Sequence, residues 1–337
     1  MTLSQRKKDH VDITASGKSG YDKTTGFERY DFIHNALPEV DFDEISCEAR
    51  LLNHRFSFPL FISSMTGGYS GGSNVNAIIA AFCERHNLPF GVGSQRAMLE
   101  DRKARDSFKI VRDEAPTAFI ASNIGGTQII KGLEREHIDT IIDVIRADAL
   151  IIHLNPLQEL MQPEGDRNFK GIREGIRRIV SDYEVPVIVK ETGGGLSRSV
   201  IEELMDCGVS VVDVAGSGGT SWAKVENMRK SSVESPFDDW GIPTAECLLQ
   251  LKAIGNSGLE VIASGGIRSS FDMAKALCLG AGFAATAQPV IRAIVDEGYD
   301  GLEALFVRWQ HDLKTILCLL GCERPQDLGT RHLRVIE

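Results

Sequence analysis

Eight short β-rich runs constrain this chain more than any other feature. They are FPLFISSM (58–65), LPFGVGS (88–94), TAFIASNI (117–124), ALIIHLN (149–155), PVIVKE (186–191), VVDVAG (211–216), EVIASGG (260–266) and FAATAQ (283–288). Most are apolar along their length rather than alternating. Strands buried on both faces have this pattern, as in a parallel sheet covered by helices. Between them, SVIEELMDCG (199–208) and SFDMAKALCLG (270–280) carry apolar residues at i, i+3, i+4 and end at glycine, the pattern of one-faced helices. The eight β/α beats predict an α/β fold, a (β/α)8 TIM barrel. A doubly wound sheet stays the alternative, because strand order is not visible in a sequence. A length of 337 residues suits one such barrel.

Two stretches break the rhythm. Residues 1–55 form a charged N-terminal extension, and residues 217–245 form a long insertion after strand 6, rich in Gly, Ser and charge. Loops of that length are functional lids or disordered segments, and in a barrel this one emerges on the catalytic face. Residues 1–337 then read as a single barrel domain, with the extension contributing to a substrate site and the insertion acting as a lid.

The formal net charge of −10 argues against nonspecific nucleic-acid or anionic-membrane partners. An anionic substrate would need local basic clusters. The start, MTLSQRKKDH, lacks the apolar core of a secretory signal, and no run is long enough to span a membrane. Seven cysteines without CxxC spacing suggest a reducing cytoplasm. Cys318 and Cys322, four apart on a predicted helix, read as two half-buried thiols, since two ligands do not make a zinc site.

A barrel's chemistry sits where its strands end. Here those ends carry Ser64-Met65-Thr66-Gly67-Gly68, Gly93-Ser94-Gln95-Arg96, Ser122-Asn123, His153 with Asn155, Lys190-Glu191, Gly216 to Trp222, Ser264 to Arg268, and Ala287-Gln288. GSGGTS after strand 6 and SGGIR after strand 7 predict adjacent backbone cradles for a phosphate, with the hydroxyls of Ser217 and Thr220 assisting. Lys190 closes an apolar strand. It either pairs with Glu191 or points a cation into the barrel mouth, as a Schiff-base lysine or as the charge beside a cofactor ring. Arg6, Lys7 and Lys8 form a basic tag on an otherwise unstructured start, and Arg96 is a second source of positive charge. Asn155-Pro156 reads as a helix N-cap followed by Pro at the first helical position. The turn that follows places Gln158 and Gln162 on one face and leaves Glu159 free for a hard cation such as Mg2+.

In order along the chain, RKKDH (6–10), SSMTGG (63–68), GSQR (93–96), SN (122–123), HLNPLQELMQPEGD (153–166), VKE (189–191), GSGGTSW (216–222) and SGGIR (264–268) resemble the motifs of the type 2 isopentenyl-diphosphate delta-isomerases. These are FMN-dependent enzymes built on a TIM barrel. The resemblance implies interconversion of isopentenyl and dimethylallyl diphosphate, with reduced FMN as the proton-transferring group, Mg2+ on the diphosphate, and NAD(P)H only to keep the flavin reduced. It implies FMN contacts at Ser64, Met65, Thr66, Ser94, Asn123, Lys190, Thr220, Gly266, Ile267, Arg268, Ala287 and Gln288. Diphosphate contacts are implied at Arg6, Lys7, Ser94, Arg96, His153 and Asn155. Gln158 takes the place beside the reacting carbons and Glu159 that of the Mg2+ ligand. Trp222 and Glu226 resemble lid and supporting groups, and assembly into tetramers or octamers is implied as well. An FMN oxidoreductase acting on 2-hydroxy acids would need a late-barrel histidine, and the segment after strand 6 has none. A nucleotide dehydrogenase would need a loop cysteine, and residues 217–245 have none. A flavin- or phosphate-binding protein without turnover stays open on sequence alone.

Overall fold

In the computed structural model, eight parallel strands close on themselves in sequence order. They are β1 (Leu60–Ile62), β2 (Phe90–Gly91), β3 (Ile120–Gly125), β4 (Ala149–Leu154), β5 (Val187–Glu191), β6 (Val211–Asp213), β7 (Glu260–Ala263) and β8 (Phe283–Thr286). β8 pairs back onto β1, with Ala284 opposite Leu60 and Thr286 opposite Ile62, so the sheet is a barrel and not doubly wound. The described residues are 3–65, 67, 70–230, 235–255 and 258–336, and the side chains of residues 3–8, 70, 102 and 103 lie outside them.

The runs are apolar on both faces because each face meets a different core. Leu60, Ile62, Leu150, Ile152, Val187 and Val189 face the surrounding helices, while Phe61, Ile151 and Ile188 fill the barrel interior. The two predicted helices are present as Arg198–Asp206 and Ser270–Cys278. Ser197 and Ser269 cap them by accepting from the backbone N–H of Val200 and Asp272, and both stop short of their glycine.

The lower mouth of the barrel is closed by a hairpin, Ala49–Leu51 paired with His54–Phe56. The Phe56 ring meets Phe119 and Phe283 edge-on, each with centroids 5.7 Å away. This plug leaves only the opposite mouth for polar groups. Deleting the Phe56 ring would cost about 3–5 kcal/mol.

Several expectations need correcting. The N-terminus is not unstructured: Leu3–Ala15 forms helix α1. The insertion is folded over much of its length, into helix α3 (Trp222–Arg229) and a 3-10 turn at Pro236–Asp239, with residues 231–234 outside the described residues. Between β4 and β5 the expected turn is present: helix α2 (Pro156–Met161) follows the strand with Asn155 at its N-cap position and Pro156 first in the helix. The last long helix, α4 (Gln288–Leu319), ends before Cys322. Only Cys318 is therefore helical and half-buried. Cys322 is buried, with its Sγ 3.6 Å from His332 Nε2. No described helix is long and apolar enough to cross a membrane.

Candidate active site

The upper ends of the strands surround a cavity of about 300 Å3. Its wall carries Ser64 and Met65 after β1, Ser94 and Arg96 after β2, and Asn123 on β3. His153, Asn155, Gln158 and Glu159 come from β4 and α2, and Lys190 from β5. Thr220 and Trp222 follow β6, Gly266 to Arg268 follow β7, and Ala287 with Gln288 follow β8. Three expected residues lie outside this description: Thr66 entirely, and the side chains of Arg6 and Lys7, whose backbone belongs to α1. Ser217 is fully buried and does not line the cavity; its backbone N–H donates to the Ile242 carbonyl, and its Oγ has no protein partner.

The stretch from His153 to Asp166 is tied together by one amide. Asn155 is at the N-cap with Pro156 following it, but its side chain does not cap. Instead Nδ2 donates to Gln158 Oε1 and to Glu159 Oε1, each at 3.1 Å. The other Glu159 oxygen accepts from the Asp166 backbone N–H at 2.7 Å. Glu159 is thus buried and oriented, not free as its helical position alone suggested. Asp166 pairs with Lys131, and Gly165 lies so close that a Cβ there would sit 1.9 Å from the Glu159 carbonyl oxygen. A side chain at 165 would push the loop off the helix.

His153 is a neutral group. Burial, reinforced by the charge of Lys190, lowers its pKa to about 3. Its Nδ1 is 2.7 Å from Asn123 Oδ1, and Asn123 Nδ2 donates to the Val92 carbonyl, which fixes the amide's orientation. The ring proton therefore sits on Nδ1 and the Nε2 lone pair is left over.

Lys190 does not pair with the Glu191 carboxylate. Glu191 turns back onto the N–H groups of Thr192 and Gly193, both 2.5 Å away, and of Gly194. Lys190 Nζ instead donates to the Glu191 carbonyl and lies 4.0 Å from Asp213 Oδ2. Burial raises the carboxyls of both Glu191 and Asp213. The N–H groups of Gly194, Gly193 and Thr192 and the charge of Lys190 oppose this for Glu191, and Lys190, Ser264 and the Ala215 N–H oppose it for Asp213.

The turns after β6 and β7 pack directly on one another. Gly265 has φ +97°, and a Cβ on it would lie 2.0 Å from the Gly216 carbonyl oxygen. Arg268 Nη1 donates to the Gly218 carbonyl at 3.2 Å. α4 starts at Gln288 with no side-chain cap, so its first backbone N–H groups face the same mouth. Ser64 Oγ is buried on the wall without a protein partner. An unpartnered hydroxyl, uncapped N–H groups and bare glycine turns at one mouth fit the phosphate and ring of a flavin mononucleotide.

The extension covers the insertion. His10 Nε2 is 2.8 Å from Glu226 Oε1, and the His10 ring meets Trp222 edge-on at 5.1 Å. Burial works against the Glu226 carboxylate, but His10 and Arg229 outweigh it and hold it below the usual carboxylate range. Arg96 is paired within its own helix, to Glu100 at 2.7 Å.

Sequence reasoning missed Val11 and Thr14, which reach the cavity from a helix it did not expect, and Gln128, just beyond a longer β3. It also missed Asp213. The available signal was a single charge inside the apolar run VVDV.

A match to the FMN-dependent dehydrogenase family over residues 155–335, more than half of the chain, defines the class: a flavin-binding barrel protein. Solved structures agree at the level of fold. A flavocytochrome b2 mutant superposes with a TM-score of 0.72 at 17% identity, covering 99% of this chain and 83% of that one. A soluble mutant of the (S)-mandelate dehydrogenase from Pseudomonas putida gives 0.68 at 16% identity, covering 99% and 100%. Much nearer in sequence are proteins named isopentenyl-diphosphate delta-isomerase. The one from Chlorobium luteolum is 44% identical over 97% of this chain and 94% of its own, and the one from Archaeoglobus fulgidus is 42% identical over 97% and 94%. The chain belongs to the isopentenyl-diphosphate delta-isomerase family.

Proposed function

We propose that this protein interconverts isopentenyl and dimethylallyl diphosphate on bound, reduced FMN with Mg2+. The observation that carries the reading is the pair of side chains on one amide: Asn155 orients both Gln158 and Glu159 at the cavity wall. The reaction adds a proton at one carbon of an alkene and removes another two carbons away. It needs a dry site and an oriented acid–base group, and it needs no nucleophile. Bound FMN, kept reduced by NAD(P)H, supplies the proton-transferring group.

The chain's own residues bind and orient. Gln158 lies against the alkene without adding a charge that would trap a cationic carbon. Glu159, pre-set by Asn155 and Asp166, would offer its carboxylate to a Mg2+ that neutralises part of the diphosphate charge. Arg6, Lys7, Ser94 and Arg96 hold the diphosphate. For Arg96 this means leaving Glu100, an exposed pair that costs little to break. His153 joins them only by gaining a second proton at Nε2, which the diphosphate's negative charge favours. Asn123, Lys190, Thr220, Ser64, Met65 and the turns at Gly266 to Arg268 and Ala287 to Gln288 hold FMN.

Residues 1–55 complete the substrate site, and residues 217–245 act as its lid. Their support is the His10–Glu226 contact, and the Tyr21 hydroxyl, which donates to the carbonyls of Gly193 and Trp240. Homo-oligomeric assembly rests on the sequence resemblance, and a cytoplasmic location on the seven cysteines, all of them free.

The test is turnover. Purified protein given reduced FMN and Mg2+ should bring either diphosphate to the same mixture of the two. A protein that binds FMN and leaves both diphosphates unchanged would defeat the reading.

A further inference from the structure

Asp213 is the one acidic residue in its strand, and it does not reach the cavity. Its carboxylate accepts from Ser264 Oγ at 2.5 Å and from the Ala215 N–H at 3.2 Å, and its second oxygen faces Lys190 Nζ at 4.0 Å. The two side chains are 6% and 11% exposed. An apolar barrel strand gains nothing from a buried carboxylate unless a buried cation stands opposite it.

We propose that Asp213 is a positioning residue for Lys190, fixing its ammonium at the cavity wall and compensating its charge, so that FMN meets a neutral pair and not a free cation. The proposal rests on the reading that FMN occupies this cavity. A free ammonium in a low-dielectric site would stabilise negative charge on reduced flavin and draw off a ring proton. The compensated pair removes that pull. Reduced FMN then keeps its full set of protons, which suits a site whose task is to give and take one.

The experiment measures FMN affinity and the FMN reduction potential of the holoprotein at pH 7. Its variants are Asp213→Asn, Lys190→Met and the double substitution. Asp213→Asn should shift the potential to more positive values and give reduced flavin an anionic spectrum. In the Lys190→Met background the same change should move neither. Ser264→Ala keeps the charge but loosens the carboxylate. It should shift the potential in the same direction by less, and it serves if Asp213→Asn does not yield holoprotein. A potential unchanged in Asp213→Asn, or in Ser264→Ala where only that can be measured, overturns the proposal while leaving FMN binding intact. Wild-type protein that binds no FMN overturns the site reading itself, and the role of the pair with it.

Discussion

His10 and Glu226 are 216 positions apart in sequence, yet the imidazole Nε2 and the carboxylate Oε1 are 2.8 Å apart. Through this contact the N-terminal helix is seated on the first helix of the insertion. From the same helix His10, Val11 and Thr14 reach the cavity. Glu226→Gln should therefore raise KM for the diphosphate roughly tenfold, the scale of one hydrogen bond to a charged group. FMN affinity should be unchanged. Steady-state kinetics beside a flavin titration check both, and weaker FMN binding would place the contact in flavin binding instead.

The same carboxylate has a second partner. Arg229, 6% exposed, pairs with the fully buried Glu226 and also reaches Glu164 at 3.3 Å. Arg229→Met strips a buried carboxylate of a cation and should cost about 3–5 kcal/mol. Arg229→Met with Glu226→Gln removes both charges and should recover a good part of that. Urea denaturation of the three proteins gives the values. Equal losses in single and double variants would show that packing, not charge, is at stake.

His153 sets a pH dependence. Its folded-state pKa of about 3 lies below the ordinary 6.5, because burial and Lys190 disfavour the cation. Between those values the unfolded chain binds the proton and the folded one does not. The contribution is thus present above pH 6.5 and lost as the pH falls toward 3. From pH 7 to pH 5 the loss should be about 2 kcal/mol. Chemical denaturation at the two pH values checks this, with His153→Gln as the control in which that difference disappears.

The barrel was legible because its strands are buried on two faces: Leu60-Phe61-Ile62 is apolar throughout since Phe61 serves the interior and its neighbours the helices. The plug at residues 49–56 was not, because Arg50, His54 and Arg55 break any apolar pattern while Leu51 and Phe56 carry the packing. The cavity-wall positions from Ser64 to Gln288 follow from strand ends alone. The states of those groups do not. That Glu159 is already bonded depends on how the loop to Asp166 folds back on α2, and that His153 is neutral and Lys190 faces the Asp213 carboxylate rather than that of Glu191 depends on neighbouring strands. That the Ser217 hydroxyl is buried without a protein partner is likewise invisible in its glycine-rich turn.

The turns after β6 and β7 depend on glycine. Gly265→Ala would force a Cβ to 2.0 Å from the Gly216 carbonyl in a left-handed conformation, φ +97°. The strain alone exceeds about 1 kcal/mol, and relief requires the two turns to part. FMN affinity should fall by more than tenfold while the circular dichroism of the barrel is retained. Normal FMN binding in this variant would show that these turns do not form the cofactor's cradle.

Asn155 offers the most discriminating substitution, because its one Nδ2 serves two different roles. Gln158→Ala should lose turnover with FMN and Mg2+ binding intact, and Glu159→Gln should chiefly raise the Mg2+ and substrate concentrations needed. Asn155→Ala releases both side chains at once. It should therefore lower kcat and raise the Mg2+ requirement together, each by roughly tenfold if a hydrogen bond to each is lost. Asn155→Asp keeps the shape, but sets a like charge beside Glu159 and replaces the donor with an acceptor, so it should be worse than alanine in Mg2+ dependence. Initial rates across a Mg2+ titration separate the four proteins. If Asn155→Ala altered only kcat, or only the Mg2+ dependence, the shared amide would not be what orients the pair.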